Sequence, residues 1–429
     1  MRRQLTTIVV CLIGVLVHRP ALGADDQLAD KPYMGWSSWS FYAKKFDEAA
    51  IVAQADVMSS KLKKYGYTYI NIDAGWHNDK DFDEHGRRLF DKTKFPHGIK
   101  WLSDYVHGKG LKFGLYIEPG MPEEAFNQNG TILGTNIRIA DITDSTQQAN
   151  TLGKKFYRID FTRPGAKEWL QSSADLLCEY GVDFIKLDFV GPNTRKKVDT
   201  RDEVKLWYAA LNKTRPVWLE LSNNLLVQDA AFWKTCSNGW RINNDVEIHK
   251  PDALTDWSKI ARRFSDAPKW NAFAGKGGWN DFDSLIVGNG EKTGLTLDER
   301  RTVMTMWCIC CTPLYLGTDL TKLVDEDMEI ITNSEAIDIN QAGVVANPIS
   351  QDTTQQVWRA KNANGSFTVA LFNLGDDRAT VAVRWSDLGI TGVASIRDLW
   401  SHTDLSAHDD GFSADLDSHA CRLLRITPK

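Results

Sequence analysis

At 429 residues, the chain is too long for one ordinary compact core and suits a large α/β barrel with a smaller partner domain. Hydrophobic content of 42% and charged content of 25% are ordinary globular values, and a formal net charge of -5 offers nothing to a polyanion. Nucleic acid is therefore excluded as the expected partner.

In chain order, Arg2 and Arg3 precede an apolar run from Ile8 to Val17, and Ala21, Leu22, Gly23 and Ala24 supply small residues before Asp25. Residues 1–24 thus read as a secretory signal peptide, which predicts a secreted or periplasmic mature protein. The run is shorter than the roughly 20 residues that span a bilayer, and no later segment is long and apolar enough.

Residues 25–340 alternate short apolar runs with amphipathic stretches, as expected of β/α units around a parallel sheet. Candidate strands end near Trp36, Asp73, Glu118, Asp188, Ser222, Asn243, Trp279 and Leu316, compatible with a (β/α)8 TIM barrel. Ile51, Ala55, Met58 and Leu62 mark one outer helix, capped by Asp47 and stopped by Gly66. A second begins at Pro164, carries Leu170, Ala174 and Leu177 on one face, and stops at Gly181. Seven cysteines include Cys308, Cys310 and Cys311 in an apolar run without zinc spacing, where they read as small buried hydrophobes. From 341 to 429 the pattern becomes short alternating runs separated by Gly, Asp and Asn, which predicts a C-terminal antiparallel β-sandwich. Trp385 and Trp400 read there as core residues.

Active sites of barrels lie at the C-terminal strand ends. In Gly181 to Asp188, Val182, Phe184, Ile185 and Leu187 read as a buried strand, on which Lys186 and Asp188 point to the same side. Trp36, Asp73, Tyr116 with Glu118, Glu220 with Asn223, Arg241 with Asp245, and Asp281 with Asp283 fall at or just past other strand ends. Many carboxylates with aromatics and few histidines point to a sugar site, because glycoside hydrolysis needs two carboxyl groups. A metal site is the competing reading, but no histidine ligand pair appears, and Lys186 beside Asp188 would repel a cation. No metal or cofactor is expected.

Several segments, in order, resemble the family 27 glycoside hydrolases, best known for the α-galactosidases or melibiases. Met34-Gly35-Trp36-Ser37-Ser38-Trp39 is similar to their opening motif, Tyr69 to Trp76 to their second strand, and Gly181 to Asp188 to their nucleophile strand. Trp240-Arg241-Ile242-Asn243-Asn244-Asp245 resembles the acid/base segment, and Gly278 to Asp283 with Gly288-Asn289-Gly290, Leu295-Thr296 and Pro313-Leu314 resembles a later block. The resemblance implies a retaining hydrolase releasing terminal α-linked galactose, with Asp188 as nucleophile and Asp245 as general acid/base. It further implies substrate contacts from Trp36, as the floor of the sugar site, and from Asp73, Tyr116, Lys186, Arg241 and Asp283. Either Glu220 or Asn223 would meet the 2-position.

The chain departs from the family pattern at Ala74, where a second carboxylate is usual, at Leu219 to Asn223, and at Ser284. Those departures surround substrate-choosing positions and keep open a shifted sugar preference: β-L-arabinopyranosides, α-N-acetylgalactosaminides or α-glucans. A non-catalytic sugar-binding barrel is the reading from a different class.

Overall fold

The computed structural model describes residues 28–153 and 155–429; the segment expected to be a signal peptide lies outside the described residues. Eight parallel strands form one sheet: β1 (Met34–Ser37), β2 (Tyr69–Ile72), β3 (Lys112–Ile117), β4 (Phe184–Leu187), β5 (Trp218–Leu221), β6 (Gly239–Arg241), β7 (Trp279–Asp281) and β8 (Leu314–Leu316). Their order is β7, β6, β5, β4, β3, β2, β1, β8. The two ends meet through a parallel bridge between Leu285 and Leu316. There Leu285 N–H donates to Tyr315 O at 2.8 Å, and Gly317 N–H donates to Leu285 O at 3.2 Å. Closure in this way leaves no open sheet edge, the property that defines a barrel.

The principal helices of the barrel are α1 (Glu48–Val57), α2 (Ile99–Gly108), α3 (Ala166–Glu179), α4 (Arg201–Leu211), α5 (Ala230–Trp233), α6 (Trp257–Trp270), α7 (Leu297–Ile309) and α8 (Ser334–Ala342). At the start of α1, the Asp47 carboxylate accepts from Ala50 N–H at 2.9 Å, satisfying one orphan amide of the first turn. Beyond α1 the chain continues through one π-helical turn, Met58–Leu62, which still buries Met58 and Leu62 on the face of Ile51 and Ala55. Gly66 (φ +104°) then ends the segment in a conformation that only glycine adopts readily. α3 begins at Ala166, two residues after the proline expected to start it, and buries Leu170, Ala174 and Leu177.

Strand parity decides what fills the barrel. Tyr69, Phe184, Trp218 and Trp279, the first residues of β2, β4, β5 and β7, join Tyr33 and Tyr315 in one buried aromatic cluster. The Tyr33 ring lies 5.3 Å from Tyr69, 5.1 Å from Phe184, 5.1 Å from Trp218 and 5.6 Å from Tyr315, so the N-terminal end of the barrel is plugged. Two residues further along the same strands, and hence on the same side, stand Asn71, Lys186, Glu220 and Asp281. A polar layer therefore rests on an aromatic floor.

After α8 come the strands β9 (Asn347–Ser350), β10 (Gln355–Lys361), β11 (Phe367–Asn373), β12 (Ala379–Arg384), β13 (Ala394–Asp398), β14 (Thr403–His408), β15 (Gly411–Leu416) and β16 (Cys421–Pro428). Six pair as β9, β10, β11, β16, β13, β14, and β12 pairs with β15, all antiparallel. Val369, Leu371, Val381, Val383, Leu424 and Ile426 lie in the core of this sandwich. Its other face is continuous with the barrel core: Phe372 packs at 4.9 Å from Phe264 of α6, and Trp400 Nε1 donates to Thr305 Oγ1 of α7 at 3.0 Å. Trp385 is buried with its Nε1 on His408 O at 3.0 Å, so Trp385 and Trp400 are both spent on internal packing.

Candidate active site

The C-terminal ends of the strands converge on a small cavity whose lining includes Ser37, Trp39, Asp73, Lys186, Asp283 and Ser284. Lys186 Nζ donates to Asp73 Oδ2 at 2.7 Å and lies 5.7 Å from the centre of the Tyr116 ring. Parallel register puts Tyr116, Lys186 and Glu220 side by side on β3, β4 and β5, which is why three residues distant in sequence meet. Asp73 is oriented from both sides, with Ser38 Oγ accepting its N–H at 2.9 Å and its Oδ1 accepting the Ala74 N–H at 2.7 Å.

Asp188, 9% exposed, follows the last residue of β4. Its N–H donates to Ile117 O at 2.9 Å, and its Oδ1 accepts from Phe189 N–H at 2.7 Å. Phe189 has φ +54°, a left-handed conformation that costs a bulky residue energy and turns the chain away immediately behind the carboxylate. Arg241, buried at the end of β6, donates through Nη2 to Asp245 and faces Asp283 Oδ1 through Nη1 at 3.3 Å. Asp245 has a side chain 45% exposed, whereas Asp283 is buried.

The electrostatics follow from this geometry. Arg241 holds the Asp245 carboxyl down at about 2. Burial opposes a charged Lys186, but Asp73 and then Asp188 outweigh it and keep the ammonium above its ordinary range. Arg241 is likewise held charged, against burial, by Asp283, Asp245 and Asp188, so one guanidinium feels both candidate catalytic carboxylates. Glu247 is pushed up to about 8 by burial and then by Asp283 and Asp245, with its Oε1 accepting from Ser40 Oγ. Deeper in the barrel, burial and then Asp281 push Glu220 well above the ordinary carboxylate range.

Residues 31–137 and 157–342 match the family described as Alpha galactosidase A, and 352–426 match the Alpha galactosidase C-terminal beta sandwich domain. The chain belongs to the α-galactosidase family of glycoside hydrolases. It is 31% identical to the α-galactosidase of Cyamopsis tetragonoloba, over 95% of this chain and 88% of that one. Among solved structures, a family 27 β-L-arabinopyranosidase variant from Geobacillus stearothermophilus in complex with arabinose is similar at TM-score 0.89 and 30% identity, covering 95% of this chain and 100% of that one. α-Galactosidase I from Mortierella vinacea is similar at TM-score 0.75 and 28% identity, with 95% and 100% covered.

Within this α-galactosidase-family barrel, Asp73, Lys186, Glu220 and Asp283 line one cavity, and Tyr116, Arg241 and Asp245 connect to it through Lys186 and Asp283. Trp36 does not line it. On β1 the odd positions face inward, as Tyr33 and Ser37 do, so Trp36 turns to the outer face, fully buried with its Nε1 on Thr318 O at 2.7 Å. The tryptophan at the mouth is Trp39, three residues on and edge-to-face with His249 at 5.6 Å.

Asn223 stands past the end of β5, and its backbone O accepts from Asn193 Nδ2 at 3.4 Å. Glu220 lies one layer below the mouth, its Oε2 accepting from Trp218 Nε1 at 2.8 Å and its buried Oε1 unpartnered.

Glu247 and Tyr315 escaped the reading of the sequence. Asp245-Val246-Glu247 offered a hint, because two carboxylates two apart in an extended segment share a side; Tyr315 between Leu314 and Leu316 offered another, as the inward member of a short strand.

Proposed function

We propose that this protein is a retaining exo-glycosidase that releases terminal α-linked galactose by double displacement. The observation that carries the reading is Arg241, a buried cation whose charge is sustained by Asp283 and then by Asp245 and Asp188, so that both proposed catalytic carboxylates act on one guanidinium. Asp188 attacks the anomeric carbon as its bond to the leaving oxygen breaks, and Asp245 passes a proton to that oxygen. Water then attacks the anomeric carbon and breaks its bond to Asp188, with Asp245 taking a proton from that water.

The roles of Asp188 and Asp245 require opposite protonation. Asp245 is deprotonated while it pairs with Arg241 in the free site, so a sugar that draws Arg241 into hydroxyl contacts raises Asp245 into its acid form. Glycosylation of Asp188 then removes a negative neighbour and favours the base form. Lys186 and Asp73 hold ring hydroxyls, Asp283 orients Arg241, and Tyr116 and Trp39 shape the pocket. No cofactor enters. The N-terminal run of 1–24 supports export to the periplasm or the exterior, which N-terminal sequencing of the secreted protein tests.

A second reading, favoured by Ala74, is hydrolysis of β-L-arabinopyranosides. β-L-Arabinopyranose has the ring stereochemistry of α-D-galactopyranose without the hydroxymethyl group, and Ala74 offers a buried methyl beside Asp73 where the family usually has a carboxylate. A site that does not hydrogen-bond a hydroxyl gains little from it, so the preference narrows or inverts. The deciding measurement is kcat/KM on the aryl α-D-galactopyranoside and the aryl β-L-arabinopyranoside, with product stereochemistry followed by NMR. Retention on either, together with a loss on the order of 10³-fold or more in Asp188→Asn, is expected. Inversion, or an Asp188→Asn variant of undiminished activity, refutes the mechanism.

A further inference from the structure

Tyr315 has one hydroxyl proton and two carboxyl neighbours. Its Oη lies 3.1 Å from Asp281 Oδ2 and 3.1 Å from Asp283 Oδ1, and all three residues are buried. One proton cannot fill both contacts. Unless a carboxyl brings a proton of its own, one of the two contacts sets lone pair against lone pair between buried atoms, at a cost comparable to a lost hydrogen bond.

Asp283 is not the group that carries it. Its Oδ2 accepts from Val246 N–H at 2.9 Å, its Oδ1 accepts from Ser284 N–H at 2.9 Å, and Arg241 Nη1 stands 3.3 Å away, a set of donors suited to an ionised carboxylate. The Asp281 carboxyl accepts the Asp283 N–H through Oδ1 at 2.7 Å, and among the described residues Tyr315 is the hydrogen-bond partner of its Oδ2.

We propose that Asp281 is held as the neutral acid and acts as the positioning residue for Arg241. Its Oδ2–H donates to Tyr315 Oη, Tyr315 O–H donates to Asp283 Oδ1, and Asp283 then divides Arg241 with Asp245. The consequence for turnover rests on the reading of Asp245 as acid/base. An ionised Asp281 would pull the Tyr315 proton inward and set a second negative charge beneath Arg241, drawing the guanidinium down and away from Asp245.

The charged and titratable groups facing Asp281 are Asp283 beyond its own strand, Glu220 on β5, Arg241 on β6, Tyr315 on β8, Tyr33 ahead of β1 and Arg263 on α6. Burial, then Asp283, push Asp281 up to about 6. The proton is therefore present at acid pH and lost as pH rises through that value, which places the effect on the alkaline limb of activity.

The test compares Asp281→Asn with Asp281→Ala in the full chain. Asparagine keeps both contacts, with N–H donating to Tyr315 and O accepting from Asp283 N–H, and it cannot ionise. At pH 5, kcat/KM is expected to stay within about threefold of wild type in the Asn variant and to fall on the order of tenfold or more in the Ala variant. The alkaline limb should move up by about one pH unit or more in the Asn variant only. An infrared difference between wild type and Asp281→Asn should show a protonated-carboxyl stretch at pH 5 that vanishes by pH 8.

Absence of that band overturns the proposal. A band with no shift of the limb leaves a buried acid without the positioning role, and also overturns it. If neither glycoside is hydrolysed, the functional reading fails by itself, and the infrared band still decides whether Asp281 holds the proton.

Discussion

Arg241 divides its guanidinium between Asp245 and Asp283, and the readiness of Asp245 to act as acid depends on that division. A carboxyl held at about 2 protonates poorly near neutral pH, so the proposed acid must be released from Arg241 by the sugar. In kcat/KM, which reports the glycosylation step alone, Asp245→Ala should therefore lose little on an aryl glycoside whose phenol leaves as a stable anion, and about 10²-fold or more on a sugar-linked glycoside that needs protonation. Comparison of kcat/KM on the two substrates checks this, and equal losses would show that Asp245 is not the acid. Lys186 and Asp188 were legible as a site from their position two apart at the end of an apolar run, because strand parity alone puts them on one side. Parity also explains the misplaced tryptophan. Trp36 and Trp39 are equivalent as residue types in Met34 to Trp39, and only the inward direction of Ser37 shows which of them meets the cavity.

At the level of elements, the barrel strands end within two residues of the positions read from the sequence, since most of the apolar runs give way there to a polar residue that cannot be buried without a partner. What brings those ends together is close approach at inward glycines. A Cβ on Gly35 would lie 2.5 Å from Tyr69 O and 2.6 Å from Tyr69 Cβ, and the backbone oxygen belongs to the neighbouring strand. Gly35→Ala should then push β1 from β2 and cost about 1–3 kcal/mol, measured by urea unfolding. An unchanged midpoint would mean that the sheet relaxes freely there. Elements without an apolar signature were not foreseen. β14 (Thr403–His408) is largely exposed and exists through pairing with β13, and the strand Thr143–Gln148 is polar and mostly solvent-facing, held by the neighbouring Phe156–Ile159. Thr143–Gln148 lies in 138–156, the stretch between the two family-matched segments, and the same stretch reaches the candidate nucleophile loop through Thr151 N–H, which donates to Phe189 O at 2.9 Å.

Across the whole molecule, the sandwich is fastened to the barrel by apolar contact, by hydrogen bonds such as that of Trp400 Nε1 to Thr305 Oγ1, and by a bidentate ion pair. Arg397 on β13 donates through Nε to Glu335 Oε2 at 2.8 Å and through Nη2 to Oε1 at 2.9 Å, and Glu335 lies in the first turn of α8. The hydrogen bonds from Arg397, and then from His402, pull the Glu335 carboxyl down to about 2. An unfolded glutamate titrates near about 4.3, so the folded state gains stability above that pH and loses it as pH falls toward 2. Arg397 is about one-third exposed, so solvent screens the pair and keeps its contribution small. Glu335→Gln should lower stability at pH 7, and by much less at pH 2, read from denaturant midpoints at the two pH values. A penalty equal at both would assign the effect to packing.

The sequence by itself determined the barrel rhythm, the change to a sandwich, and the strand ends that bear Asp73, Lys186, Asp188 and Asp283, because period-2 burial and the cost of burying charge are local properties. Only the tertiary structure decided how those groups are used. Which carboxylate pairs with Lys186, which of two tryptophans lines the cavity, and how Asp281 meets Tyr315 depend on strands brought side by side from up to about 280 residues apart, and on a buried site in which one hydroxyl stands between two carboxyls.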